Sequence, residues 1–256
     1  MGSSINVLNF DNVYLSQRFY ETVRTTWVDL TDLKNVNRCC ELASLEQIDR
    51  RLSNARHRVT FIGSGNYHYV TLLFLRRVRV PFTLILIDNH TDMDPLLGDS
   101  LVSCGSWVTL ALQTLPLLKQ VILIGTADEY AAEIPLMERN RVAVFSQTQL
   151  RERPWLKYTI ARTIPTQAVY ISIDKDVLHD TEVFTNWDQG NLTLTELLTI
   201  LYSLRRARKV WGMDVCGEYE SDPLAALSSE IRYWAQKNSQ VNHALLAAAD
   251  NFSQAS

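Results

Sequence analysis

Short apolar runs rich in β-branched residues recur along this chain, each followed by a polar turn and a stretch with helical periodicity. INVLNF (5–10), RVTFIG (58–63), FTLILID (82–88), QVILIG (120–125), RVAVFS (141–146), AVYISID (168–174) and KVWGMDV (209–215) read as strands. Several are apolar almost throughout, as strands are when both sheet faces are covered. Helical patterns lie between them around 44–56, 67–78, 104–118, 129–139 and 193–207, with a long one near 224–249. Parallel strands need a crossover, usually a helix. The alternation therefore predicts a three-layer αβα fold on a largely parallel sheet of about seven or eight strands. Residues 177–191 carry no clear element, but Phe184 and Trp187 suit them to an ordered loop. With no linker, repeat or low-complexity segment, residues 1–256 read as a single domain.

Several function classes drop out at this point. The net charge of −3 comes with no basic stripe and interleaved aromatics, so nucleic acid is not an expected partner. The runs Arg76-Arg77-Val78-Arg79 and Arg205-Arg206-Ala207-Arg208 end helical patterns, where cations complement the helix dipole. No apolar run approaches the roughly 20 residues needed to cross a bilayer, and MGSSINVLNF is not built as a secretory signal. Cys39, Cys40, Cys104 and Cys216 form no CxxC pair or disulfide pattern, which points to a reducing cytoplasm.

In open parallel sheets, ligands bind beyond the C-terminal strand ends. Those ends are heavily loaded: GSGNYH closes on His68, IDNHTD supplies Asp88, His90 and Asp92, and SIDKD supplies Asp174 and Asp176. Two like charges ~4 Å apart cost about 4 kcal/mol at an effective dielectric near 20. Four such carboxylates must be protonated, paired or metal-bound. Lys175 is the one cation in these segments, and strand alternation turns it away from Asp174 and Asp176. Taken alone, DNHTD also fits a helix N-cap and turn, and His68 a helix-start histidine. Their joint occurrence at three strand ends favours metal, because four carboxylates balance two divalent ions.

The three segments together resemble the ureohydrolase (arginase/agmatinase) family, which carries a GGDH-type, a DAHxD and an SxDxDxxDP segment in that order. Here they read GNYH (65–68), DNHTD (88–92) and SIDKDVLHD (172–180). The resemblance implies that His68, Asp88, Asp92 and Asp174 hold one ion, and Asp88, His90, Asp174 and Asp176 the other. It implies two divalent ions per chain, Mn²⁺ by the oxygen and imidazole donors, and a shared water activated for attack on a guanidinium or amidine carbon. Asp92 is the expected proton relay. The expected partner is a small polar substrate, and a homo-oligomer is implied because family members are often trimers or hexamers.

This chain departs from the family in the substrate shell. Cys104 of SCGSW stands where the family has a His-Gly step, making it a candidate catalytic group, although burial as a small hydrophobe is the commoner fate of a free Cys. The family's DIxEVNP strand carries a glutamate that pairs with the guanidinium. Here GMDVCGEYESDP (212–223) has Gly217 at that position, which leaves Glu218 one residue later as the candidate, with Glu220 behind it. Asn186 and Asp188 of TNWDQG (185–190) are further candidate substrate contacts, Trp187 a candidate wall, and Asp128 a candidate border residue. The expected activity is metal-dependent hydrolysis of a C–N bond in a small guanidino, amidino or related compound. The rivals are an amide hydrolase on the same fold, a metal-retaining protein without catalysis, and a metallophosphoesterase. The last needs further downstream histidines, and only His179 and His243 follow, outside any such motif.

Overall fold

The computed structural model describes residues 4–55, 57–98, 100–220 and 228–249. Its strands are β1 (Ser4–Asn9), β2 (Arg24–Asp29), β3 (Cys39–Glu41), β4 (Val59–Phe61), β5 (Phe82–Ile87), β6 (Leu101–Ser103), β7 (Leu118–Ile124), β8 (Val142–Phe145), β9 (Ala168–Asp174) and β10 (Lys209–Cys216). Eight form one sheet in the order β2-β1-β4-β10-β9-β5-β7-β8, and every pairing in it is parallel. β3 and β6 make a separate antiparallel ribbon.

Helices cover both faces, and this is why the central strands carry apolar residues on both sides. On β5, Phe82, Leu84 and Leu86 join one apolar cluster and Ile85 and Ile87 the other. The first cluster packs under α1 (Leu42–Arg51), α2 (Thr71–Leu75) and α3 (Trp107–Thr114). The second packs under α5 (Gln147–Glu152), α7 (Leu194–Ala207) and α8 (Ser229–Ala249), with Leu156 of the short α6 (Leu156–Thr159) against it, while α4 (Asp128–Ala132) buries no residue. The predicted three-layer αβα architecture is observed.

Several predicted boundaries move. The helix expected over 104–118 runs only from Trp107 to Thr114, because β6 precedes it and Pro116 leads into β7. The pattern at 67–78 splits into a 3-10 turn, Gly65–Val70, and the five-residue α2. The long C-terminal helix is described from Ser229, while 224–227 of its expected span lie outside the described residues. β2 was not expected. RTTWVD is half-exposed because it closes the sheet edge with β1 as its one neighbour, so it has no apolar signature. The three-residue β3 and β6 are too short to carry a period.

Candidate metal centre

Four adjacent strands, β4, β10, β9 and β5, end at one edge, and their extensions converge there. After β4 the chain turns immediately into the 3-10 segment, whose Ser64 cap accepts from the Asn66 N–H, and this brings His68 over the ends of β9 and β10. Gly65 makes the turn feasible: a Cβ there would lie 2.8 Å from Asp174 Oδ2 and 3.2 Å from the Trp187 ring. After β5, the Asp88 and Asp92 side chains are buried, and Asp92 reaches inward through left-handed backbone, φ 50°. β9 delivers Asp174, and the 3-10 turn that follows delivers Asp176.

The six expected ligands meet. His68 Nδ1 lies 2.9 Å from Asp92 Oδ2, 3.3 Å from Asp88 Oδ2 and 3.7 Å from Asp174 Oδ2. His90 Nδ1 lies 3.0 Å from Asp176 Oδ2 and 3.5 Å from Asp88 Oδ1. Asp88 therefore turns one oxygen to each histidine. Both imidazoles are oriented from behind. The Ser172 hydroxyl donates to Asp214 Oδ1 at 2.6 Å, so it accepts from His68 Nε2 at 2.8 Å, and Nδ1 is turned toward the cluster. Tyr170 donates to the other Asp214 oxygen at 2.8 Å. His90 Nε2 meets Asp188 Oδ1 at 2.9 Å, while Tyr130 holds Asp188 Oδ2 at 2.9 Å. An imidazole with its outer nitrogen bound to an oxygen acceptor and its inner one aimed at carboxylates is the arrangement metal-ligating histidines adopt. The donor set fits divalent ions.

Burial and crowding shift the titration of these carboxylates and of His90. Burial raises Asp92 to about 6, with Asp88 adding to it. Burial also raises Asp174 and Asp176, reinforced by their carboxylate neighbours. Burial opposes a charged His90 ring, but hydrogen bonds to Asp176 and Asp88 outweigh it and hold the ring well above its usual range.

The cluster lies at the base of a cavity of ≈ 450 Å³. Its walls include Arg38, Cys104, Tyr130, Trp187 and Asp188, with Asp94 and Glu133 at the exposed rim. The Arg38 guanidinium stands 5.1 Å over the Trp187 ring. The Cys104 thiol is in the cavity wall, and burial pushes it up to about 12, so it is a neutral thiol rather than a ready nucleophile. Asp188 is committed first to His90. Asp188→Ala is expected to lower metal affinity about 10- to 100-fold by freeing that ring, as read by metal titration of the variant.

Two expected substrate contacts stand elsewhere. Asn186 is tied to the backbone N–H and C=O of Glu220, and it does not line the cavity. Glu218 points the other way, where its carboxylate pairs with Lys175 and accepts from Gln17, Asn238 and Asn242. Asp128 accepts from the hydroxyl of Ser146, the residue that caps α5, and does not line the cavity. Gly217 explains why no glutamate occupies the family position. Its φ is 86°, and a Cβ would overlap Asp174 Oδ1 and stand 2.6 Å from the Lys175 nitrogen. Gly217→Ala is expected to cost metal binding and at least about 1 kcal/mol of stability, a combination that thermal melts with and without added ion will separate.

Sequence reasoning missed Trp107, whose indole N–H donates to Asp92 Oδ2, together with Arg38, Tyr130 and Cys216. Ser172 carried a signal, since it sits two residues before Asp174 and alternation puts both on one face of β9.

Comparison with known proteins bears on the same strands. An uncharacterised protein of Thermotoga maritima is 29% identical over 245 residues, covering 95% of this chain and 88% of that protein. Proclavaminate amidino hydrolase from Streptomyces clavuligerus superposes with a TM-score of 0.66 at 16% identity, covering 98% of this chain and 93% of its own. Formiminoglutamase from Trypanosoma cruzi, solved with Mn²⁺, gives 0.69 at 13% identity, covering 98% and 94%. At these identities the two structures share the fold. The profile of the Arginase family matches residues 7–226, from β1 through the whole cluster and beyond β10, and the chain belongs to the arginase family.

Proposed function

We propose that this protein is a dinuclear metal-dependent hydrolase that cleaves a C–N bond in a small amidino, guanidino or related compound. The observation that carries the reading is the Asp88 carboxylate, with one oxygen toward His68 and the other toward His90, at the base of an open cavity. His68, Asp88, Asp92 and Asp174 would hold one ion, and Asp88, His90, Asp174 and Asp176 the other. Bound there, divalent ions would supply Lewis acidity and the means to activate a water near neutral pH. Mn²⁺ is the ion seen in the formiminoglutamase structure, and the oxygen-rich donors suit it.

The chain's own groups do the rest. Asp92, held by Trp107 and beside His68, is the proton acceptor. Trp187 and Tyr130 form an aromatic wall against the substrate, and Arg38 closes one side of the mouth. Cys104 serves as a neutral donor in the wall.

One observation favours a neutral amide substrate over a charged guanidinium or amidine. The glutamate nearest the family's guanidinium partner, Glu218, is already neutralised by Lys175 on the far side of Gly217. Reconstituted protein is expected to hold two ions per chain, with affinity rising as pH rises through about 6 and beyond, because the ions must displace the proton of Asp92, raised to about 6, and that of the His90 ring, held above its usual range. A panel of guanidino, amidino and amide compounds, scored separately for urea and for ammonia or amine release, tests the chemistry. Failure to bind transition metal near that ratio would sink the reading.

A further inference from the structure

One half of the cluster contains a sulfur that the six-ligand scheme does not use. Cys216 ends β10 fully buried, and its thiol donates to Asp174 Oδ2 at 3.1 Å. His68 Nδ1 faces that same oxygen at 3.7 Å. Donor atoms of His68, Asp174 and Cys216 all lie within 4.8 Å of one another, close enough to surround one ion. The other half, Asp88, His90 and Asp176, offers nitrogen and oxygen alone. The glycine after the cysteine makes the approach feasible, because its missing Cβ lets β10 close onto Asp174.

Resting on the reading that the cluster holds divalent ions, we propose that Cys216 Sγ is a further donor to the ion on the His68 side, so that the two positions select different metals. Thiolate favours thiophilic ions such as Zn²⁺, Co²⁺ and Fe²⁺, whereas carboxylate-rich positions suit Mn²⁺. The His68 position then takes the softer ion and the His90 position the harder one. As the ion binds, the S–H bond gives way to a sulfur–metal bond and the proton leaves to solvent; nothing is oxidised or reduced. Cys104 does not serve this role, since it lies in the cavity wall and outside the three donor groups.

The test is titration of the metal-free full-length protein with Co²⁺ alone, followed by absorption spectroscopy. The wild type is expected to develop visible d–d bands together with a near-ultraviolet thiolate-to-cobalt charge-transfer band. Cys216→Ser keeps the d–d bands and loses the charge transfer, while Cys104→Ser keeps both. In competition, the preference for Zn²⁺ over Mn²⁺ falls at least about tenfold in Cys216→Ser, the loss that even an outer partner of a ligand produces. Cobalt bands without charge transfer in the wild type would overturn the sulfur assignment and leave the dinuclear reading standing. A charge-transfer band that persists in Cys216→Ser overturns it as well. Absence of any cobalt binding takes both readings down. The wild-type spectrum decides even where Cys216→Ser folds poorly, and Cys216→Ala provides a second variant.

Discussion

Asp88→Asn is expected to reduce bound metal from two ions per chain to at most one and to lower kcat at least about 10³-fold. Asparagine preserves the shape and leaves an oxygen to accept the His90 backbone N–H, which donates to Asp88 Oδ1 at 2.7 Å. What disappears is the negative charge presented to both histidine sides at once. Metal positions supply several kcal/mol of charge stabilisation in such sites, and each 1.36 kcal/mol is tenfold in rate. Asp92→Asn provides the contrast. Asp92 faces His68 and not His90, so that variant should retain the His90-side ion. Elemental analysis of both reconstituted variants, together with turnover on the best substrate, reads the difference. Two ions retained by Asp88→Asn at undiminished turnover would exclude a bridging role for this carboxylate.

The second large effect concerns stability. Lys175→Met is expected to cost about 3–5 kcal/mol, because removing one partner strands a buried charge. For a chain of this size that lowers Tm by roughly 6–20 °C. Lys175 is 0% exposed and Glu218 1%, and the pair sits among Gln17, Asn238 and Asn242. The double variant Lys175→Met/Glu218→Gln should recover a substantial part of the loss, since no net charge remains buried and the amide still accepts one of those hydrogen bonds. Metal stoichiometry of the folded fraction should not change, because the pair lies on the far side of β9 from the cluster. A melting curve like that of the wild type for Lys175→Met would mean that water reaches Glu218.

The candidate site was legible to very different degrees at different residues. His68, Asp88, His90, Asp92, Asp174 and Asp176 stood out because each follows an apolar strand, and strand ends of a parallel sheet converge whatever the loops do. Asn186, Asp188 and Glu218 belonged to irregular segments, where neighbouring residues face unrelated directions. Asp188 reaches the cavity but is committed to His90 and Tyr130, and Glu218 turns back into the interior. The edge strand β2 and the β3–β6 ribbon escaped notice for a related reason: an element that buries little leaves little pattern.

The three-layer αβα architecture, the eight-strand parallel sheet to within one edge strand, and the convergence of six metal-type side chains could all be read from the order of residues. Those follow from periodicity and strand direction, which are local properties. What stands around the cluster emerges from the folded arrangement. The left-handed turn at Asp92, the closeness of β10 to Asp174 at Gly217, the pairing of Glu218 with Lys175 and the thiol of Cys216 beside His68 all depend on how strands far apart in sequence approach one another. Such approaches are set by packing across the sheet, and no spacing along the chain encodes them.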